Sequence, residues 1–278
     1  MMKWLLAGTA AISMTAAAAE PENRTFRSGA FEVTAIQDAP STMRAGLFPA
    51  IPETEFCKLA GAPLAPASVN VFLLKRDGKS ILVDTGNGGE RGTAIRKLRQ
   101  LGIAPEMIDV ILLTHMHGDH IGGLLNAAGG AAFPTAIVYV AEPERDYWLS
   151  EEAGSGGALA GKVRTAYGNR LKTFRFGEEP VPGIKALDAS GHTPGHIVFD
   201  TGDLLIVGDL LHAAAIQFPH PEVSATYDMD PEKAARVRRH FYDQAAASAK
   251  PVAGMHLPCP GVGRIHREAA RYVYAPEP

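Results

Sequence analysis

The architecture hangs on residues 110–120, VILLTHMHGDH. Val110 to Thr114 is an apolar run of strand length, the pattern of a strand buried on both faces. It delivers His115, His117, Asp119 and His120 within six positions. A lone histidine is more often a packed or surface side chain than a ligand, but four donors crowded directly behind a buried strand point to metal. Zn²⁺ takes nitrogen and carboxylate oxygen donors in near-tetrahedral array. His115 and His117, two apart on an extended strand end, project to the same side. Gly118 is expected to turn the backbone sharply without a Cβ clash, so that Asp119 and His120 face a second position close by. The spacing is not the His-x-x-x-His of helix-borne metalloproteases.

Working outward, three further donors leave the ends of apolar runs. His192 lies in Gly191-His192-Thr193-Pro194-Gly195-His196, after a run ending near Ala189. Asp209 follows Leu204 to Gly208, and His256 follows Val252 to Met255. Loops at strand ends are where a rigid scaffold presents reacting groups. Asp84, in Val83-Asp84-Thr85-Gly86, reads either as a carboxylate that fixes the tautomer of a ligating imidazole or as a turn cap. Thr114 and Thr193 either orient neighbouring ligands or satisfy local backbone. His212, three residues after Asp209, lines a pocket or packs. Trp148, Phe218 and Met116 form either an apolar wall for a leaving group or plain core. His220, His240 and His266 read as surface histidines.

The chain between these motifs alternates strands and helices. Strands are expected at Phe31–Ala39, Val69–Leu74 and Ser80–Asp84, the last two joined as a hairpin around Asp77-Gly78. More follow at 110–114, 136–141, 171–176, 184–189, 197–200, 204–207 and 252–255. Helices are expected at Thr93–Leu101, stopped by Gly102, and at Pro143–Ser150. Asp230 and Pro231 start another that runs to about Ala249. Gly154–Gly161 reads as flexible loop. Residues 40–68 are rich in Pro and Ala with little periodicity, the mark of a functional lid or interface arm. Arg236, Arg238 and Arg239 read as one solvated helix face. Strands in both halves with helices following suggest stacked sheets covered outside by helices, in one domain over residues 20–278.

Of the 278 residues 46% are hydrophobic, 21% are charged, and the net charge is -3. A chain with no basic face is a poor nucleic-acid binder. Lys3, the apolar stretch from Trp4 to about Ala16 and Ala17-Ala18-Ala19 follow the order of a secretory signal peptide over residues 1–19, too short to span a membrane. A periplasmic or secreted location is therefore expected, with no stable membrane anchor. Export would allow Cys57 and Cys259 to oxidise if they lay close enough to bridge.

The order His-x-His-x-Asp-His, Gly-His-Thr-Pro-Gly-His, Gly-Asp after a strand, then a late His resembles the metallo-β-lactamase superfamily across the whole chain beyond residue 19. Tyr147-Trp148-Leu149-Ser150, Val181 to Leu187, Ala214-Ala215-Ile216-Gln217-Phe218 and His256 to Gly263 are similar to the methyl parathion hydrolase group. The metal motif is specific for the superfamily; the other segments mark a subgroup but no substrate. The resemblance implies an α/β fold, a four-layer αβ/βα sandwich with two metals at one edge of its sheets. It implies that His115, His117 and His192 hold one metal and Asp119, His120 and His256 the other. Asp209 would bridge them together with a hydroxide, and Asp209 and Asp119 would serve catalysis. His196 would be structural. The metals would be two divalent ions, Zn²⁺ first, with Mn²⁺, Co²⁺ or Fe²⁺ open, since affinity order alone does not choose. The expected activity is hydrolysis of small neutral esters: organophosphate triesters, lactones or aryl esters. A homodimer is an open partner. A β-lactamase is the competing reading, against which the bridging carboxylate Asp209 argues. A glyoxalase II-type thioesterase fits export poorly, and a nuclease would need a basic channel. A metal-binding module without turnover is the non-enzymatic alternative.

Overall fold

The computed structural model describes residues 23–269 and 271–277, so the leader expected at 1–19 lies outside the described residues. In chain order the elements are β1 (Arg24–Ser28), β2 (Phe31–Arg44), α1 (Glu53–Ala60), β3 (Leu64–Arg76), β4 (Lys79–Val83), α2 (Ala94–Gln100), β5 (Val110–Leu112), α3 (Gly118–Ile121) and β6 (Ile137–Ala141). Then come α4 (Glu142–Trp148), α5 (Ala158–Tyr167), β7 (Leu171–Phe174), β8 (Lys185–Asp188), β9 (Ile197–Asp200) and β10 (Leu205–Ile206). The chain closes with α6 (Ala214–Gln217), α7 (Pro231–Ser248), β11 (Pro251–Ala253), β12 (Val262–Glu268) and β13 (Arg271–Pro276).

Strands β1 to β7 form one sheet in sequence order, and β13-β12-β11-β10-β9-β8 form the other. The runs that read as buried on both faces are so because each sheet is covered twice. In β3, Phe72 and Leu74 enter the core between the sheets, while Val71 and Leu73 enter a second core under α2, α4 and α5. In the other sheet Ile197, Phe199, Ile206 and Ala253 face the first sheet, whereas Val198, Leu205 and Val252 pack under α7. That is a helix–sheet–sheet–helix sandwich, as expected. From β4 to β7 the strands are parallel, and β10 is parallel to β11, so the C-terminal ends of β4, β5 and β6 gather at one sheet edge.

Four expectations change. Residues 40–68 are not a loop: β2 and β3 continue pairing from Ala39↔Val69 to Arg44↔Leu64, and α1 sits at the tip. Pro40 and Pro66 hid the pattern. Both are tolerated because β1 pairs with β2 only as far as Ala35 and β4 with β3 only as far as Phe72, so no third strand flanks this extension at either proline. The arm packs Phe48, Phe56 and Met43 against Ile216 and Val223. Second, the glycine-rich 154–161 segment is not flexible loop throughout: α5 begins at Ala158 and buries Ala160, Val163 and Tyr167 on one helical face. Third, Gly118 starts α3 without a positive φ, and a Cβ there would meet only Leu159 at 3.9 Å, so the turn does not require glycine. Fourth, Arg238 is not solvated. Its spacing from Ala234, Phe241, Tyr242 and Ala245 puts it on the buried face of α7, while Arg236 and Arg239 stay exposed. The hairpin β12–β13 went unanticipated. Cys57 and Cys259 are both free thiols. Among the described residues no helix is long and apolar enough to cross a membrane.

One carboxylate outside the expected set organises the sheet edge. Buried Asp38 accepts from the backbone N–H groups of Asn87, Thr93 and Ala94 and from Asn87 Nδ2, at 2.7–2.9 Å. It therefore caps α2 from another strand, and Thr93, the residue at the cap position, makes no side-chain cap bond. Asp38→Ala should lower unfolding stability by about 1–3 kcal/mol, the cost of stranding buried donors, read as a fall in denaturant midpoint at unchanged slope.

Candidate metal centre

Each expected ligand leaves the sheet edge where the parallel strands end. His115 and His117 follow β5, Asp119 and His120 lie on α3, His192 follows β8, Asp209 follows β10 and His256 follows β11. The structure brings all seven together. His115, His117, His192 and Asp209 place one donor atom each within 4.8 Å of one another, and so do Asp119, His120 and His256. Asp209 spans both groups: its Oδ2 lies 3.5 Å from His192 Nε2 and 2.9 Å from His256 Nε2, and its Oδ1 lies 3.1 Å from His120 Nε2. The site is tight enough to require glycine beside it. Gly208 has φ 54°, and a Cβ would stand 2.4 Å from His196 Nε2.

Two buried atoms show that the pocket suits a metal. His120 Nε2 and Asp209 Oδ1 are near each other, yet neither has a hydrogen-bond partner. They stand 3.1 Å apart. Buried polar atoms are rarely left so unless an ion completes them. The electrostatics agree. Burial works against the charge of Asp209, but His120, His256 and His115 hold its carboxyl well below the usual range. Burial also opposes protons on His120 and His256. The Asp209 and Asp119 carboxylates nevertheless hold His120 well above the ordinary value and push His256 up to about 9. Burial, reinforced by neighbouring imidazoles, takes His115 well below the ordinary value and His117 down to about 3, so both are neutral donors.

Behind the ligands stand residues that orient them. Asp84 accepts from His120 Nδ1 at 2.7 Å and from the Thr114 hydroxyl at 2.6 Å. Thr193 does not touch a ligand ring: its hydroxyl donates to Glu144 Oε2 at 2.7 Å. Glu144 was not anticipated. It is fully buried, and its carboxylate also accepts from the N–H groups of Met116 and Gly195 and from Trp148 Nε1, joining the His115–His117 loop to the His192 loop. Gly195 belongs there because a Cβ would meet Glu144 N at 2.3 Å. A glutamate on a helix gives no hint of this in sequence. His196 is structural, accepting the Asp209 N–H at 2.9 Å. Asp228, also unanticipated, accepts from His192 Nδ1 at 2.9 Å.

The cleft above the donors has a volume of about 750 Å³ and is lined by His212 among others, but not by Met116, Trp148 or Phe218. Those three are core. Met116 packs under the first sheet's helices, Trp148 braces His117 edge-on at 5.2 Å, and Phe218 stacks between Tyr242 and Tyr274. His212 is buried beside Asp209, 3.4 Å from Oδ2, with neither ring nitrogen partnered. Because neighbouring carboxylates push His256 up to about 9 in the metal-free protein, Zn²⁺ binding at neutral pH should release protons and tighten as pH rises toward about 9. Calorimetric titration in two buffers of different ionisation enthalpy reads this directly. The same raised pKa stabilises the metal-free fold fully below about 6.5, and that contribution is lost as pH rises through about 9.

The profile of the metallo-β-lactamase superfamily matches residues 64–256, which includes all seven donors. The hydrolase AbOPH of the β-lactamase superfamily superposes with a TM-score of 0.84 at 29% identity, over 93% of this chain and 98% of that one. The dizinc quorum-quenching lactonase AidC, bound to its product N-hexanoyl-L-homoserine, gives a TM-score of 0.84 at 27% identity over the same shares. The hydroxyacylglutathione hydrolase of Cupriavidus taiwanensis is 33% identical over 138 residues, 45% of this chain and 44% of that protein. The chain thus spans less than half the length of that relative. With the sandwich, the donor order and the profile in agreement, the chain belongs to the metallo-β-lactamase superfamily.

Proposed function

We propose that the chain hydrolyses small neutral esters, with lactones, aryl esters and organophosphate triesters as the candidate substrates. The observation that carries this reading is Asp209, a buried carboxylate placed between two groups of imidazole and carboxylate donors at the floor of an open cleft. Two divalent ions held there would supply an ionised water near neutral pH and draw charge from the ester oxygen. The protein's own groups do the rest. Met43, Val69, Leu125 and Leu159 give the cleft apolar walls for an acyl or aryl portion. His212 has unpartnered ring nitrogens beside Asp209 and can donate to an ester oxygen. Asp119, with 30% of its side chain exposed against 3% for Asp209, is the carboxylate donor open to the cleft. A cleft of about 750 Å³ is in the range that encloses a small molecule. The likeness to AbOPH and to AidC supports the same class of reaction.

The test is a metal-replete preparation assayed against a phosphotriester, an acyl lactone, an aryl acetate and a cephalosporin. Turnover of an ester above that of the cephalosporin is expected; the reverse preference would overturn the reading in favour of a β-lactamase. Two bound metals with no turnover on any ester would favour a binding module. Asp209→Ala should fall to the uncatalysed background on every substrate while its circular dichroism spectrum stays native. Near-normal rates in that variant would remove Asp209 from the chemistry.

A further inference from the structure

Arg238 is the bulkiest of the fully buried side chains, and it serves the metal centre from the far side of the second sheet. Its guanidinium reaches four acceptors. Nε donates to Leu210 O at 2.6 Å, Nη1 to Pro221 O at 2.8 Å and Val223 O at 3.1 Å, and Nη2 to Asp228 Oδ2 at 3.0 Å. Two of these acceptors lead straight to expected ligands. Leu210 adjoins Asp209 in the chain. Asp228 turns its other oxygen to His192 Nδ1. The same segment is stitched to the His192 loop along the backbone, Met229 N to His192 O at 3.1 Å and Asp230 N to Gly191 O at 2.8 Å.

The other donors are held without Arg238. His115 and His120 lean on Thr114 and Asp84, His256 on Ser68 O, and the His117 loop on Glu144, which also receives Thr193 and Gly195 of the His192 loop. The group of His115, His117 and His192 is therefore assembled from two separate pieces of chain, and only its His192 piece and the bridge converge on one cation.

We propose that Arg238 is a positioning residue of the first metal position, fixing His192 in register with the bridging Asp209 through a single guanidinium. A lysine cannot take its place. Its ammonium is one point with three donors, whereas the planar fork reaches acceptors on three sides. Arg238 Nη2 also meets Asp228 Oδ2 at 3.0 Å, both side chains fully buried, on the side of the carboxylate away from His192. The proposal rests on the two-position reading of the metal centre and on no substrate, so a protein inactive toward every ester would still test it.

The experiment is calorimetric titration of metal-free full-length chain with Zn²⁺, comparing wild type, Arg238→Lys and Asp228→Asn. His192→Ala and His256→Ala serve as references for loss of the first and second positions. Arg238→Lys and Asp228→Asn should each weaken the binding step that His192→Ala abolishes by about 10- to 100-fold, and leave the step that His256→Ala abolishes unchanged. A role confined to folding would lower the melting temperature while leaving both binding steps intact, and that result would overturn the proposal. Equal weakening of both steps would overturn it too. Should Arg238→Lys fail to fold, Asp228→Asn decides alone, because it leaves the three carbonyl contacts of Arg238 in place.

Discussion

A carboxylate buried where two sheets meet is the constraint on which the geometry of the donor cluster depends. Asp209 is 2% exposed, and an isolated charge in such a place would cost far more than a domain's whole stability. It stays ionised because imidazoles ring it and because its surroundings are fixed from several directions at once. Its own N–H is received by His196, the residue before it must be glycine to clear that ring, and the next carbonyl is gripped by Arg238. His196 comes from just before β9 and Arg238 from α7, so these surroundings are complete only when the second sheet and its outer helix are in place.

The four layers themselves follow from the strands. Strands apolar on both faces need cover on both, and α2, α4 and α5 on one side and α7 on the other provide it. The donor residues are collected at strand ends. β4 yields Asp84, β5 the first two histidines, β10 the bridge and β11 the last histidine. A sandwich edge assembled from parallel strand ends is thus a place where donors remote in sequence become neighbours without any of them leaving its own short loop.

What was legible in the sequence follows from how locally each feature is determined. His115 to His120 announce themselves because ligand-type residues rarely crowd after a buried strand, and the later donors follow from repetition of that strand-end pattern. The α7 start was readable from Asp230 and Pro231, whose cap bond to Lys233 N is a local matter. Residues whose meaning lies in a distant partner were not legible. Glu144 looks like any helical glutamate until the His192 loop closes over it. Arg238 sits between two exposed arginines, and only the phase of α7 against the second sheet separates it from them. Trp148, Phe218 and Met116 have the same composition whether they line a cleft or fill a core, and the sheets chose the core. The arm at 40–68 was obscured by prolines that only a free strand edge accommodates.

The cleft itself is built from two unlike walls. One side is continuous with the arm, where Met43 and Val69 stand on β2 and β3, and Met43 shares a core with Ile216 and Val223. The arm is bonded to the segment before α7 through Thr226 N and Leu47 O at 2.8 Å. That segment carries Tyr227 at the cleft and, one residue on, the Asp228 that orients His192. A substitution that reshapes this wall therefore pulls on His192. The opposite wall, with Leu125, Asn126 and Leu159, comes from the loop after α3 and from α5. It packs on the first sheet, apart from the Arg238–Asp228 pair. Substrate preference can consequently be altered most freely on that second wall, where a change of size or polarity reaches the bound molecule before it reaches His192.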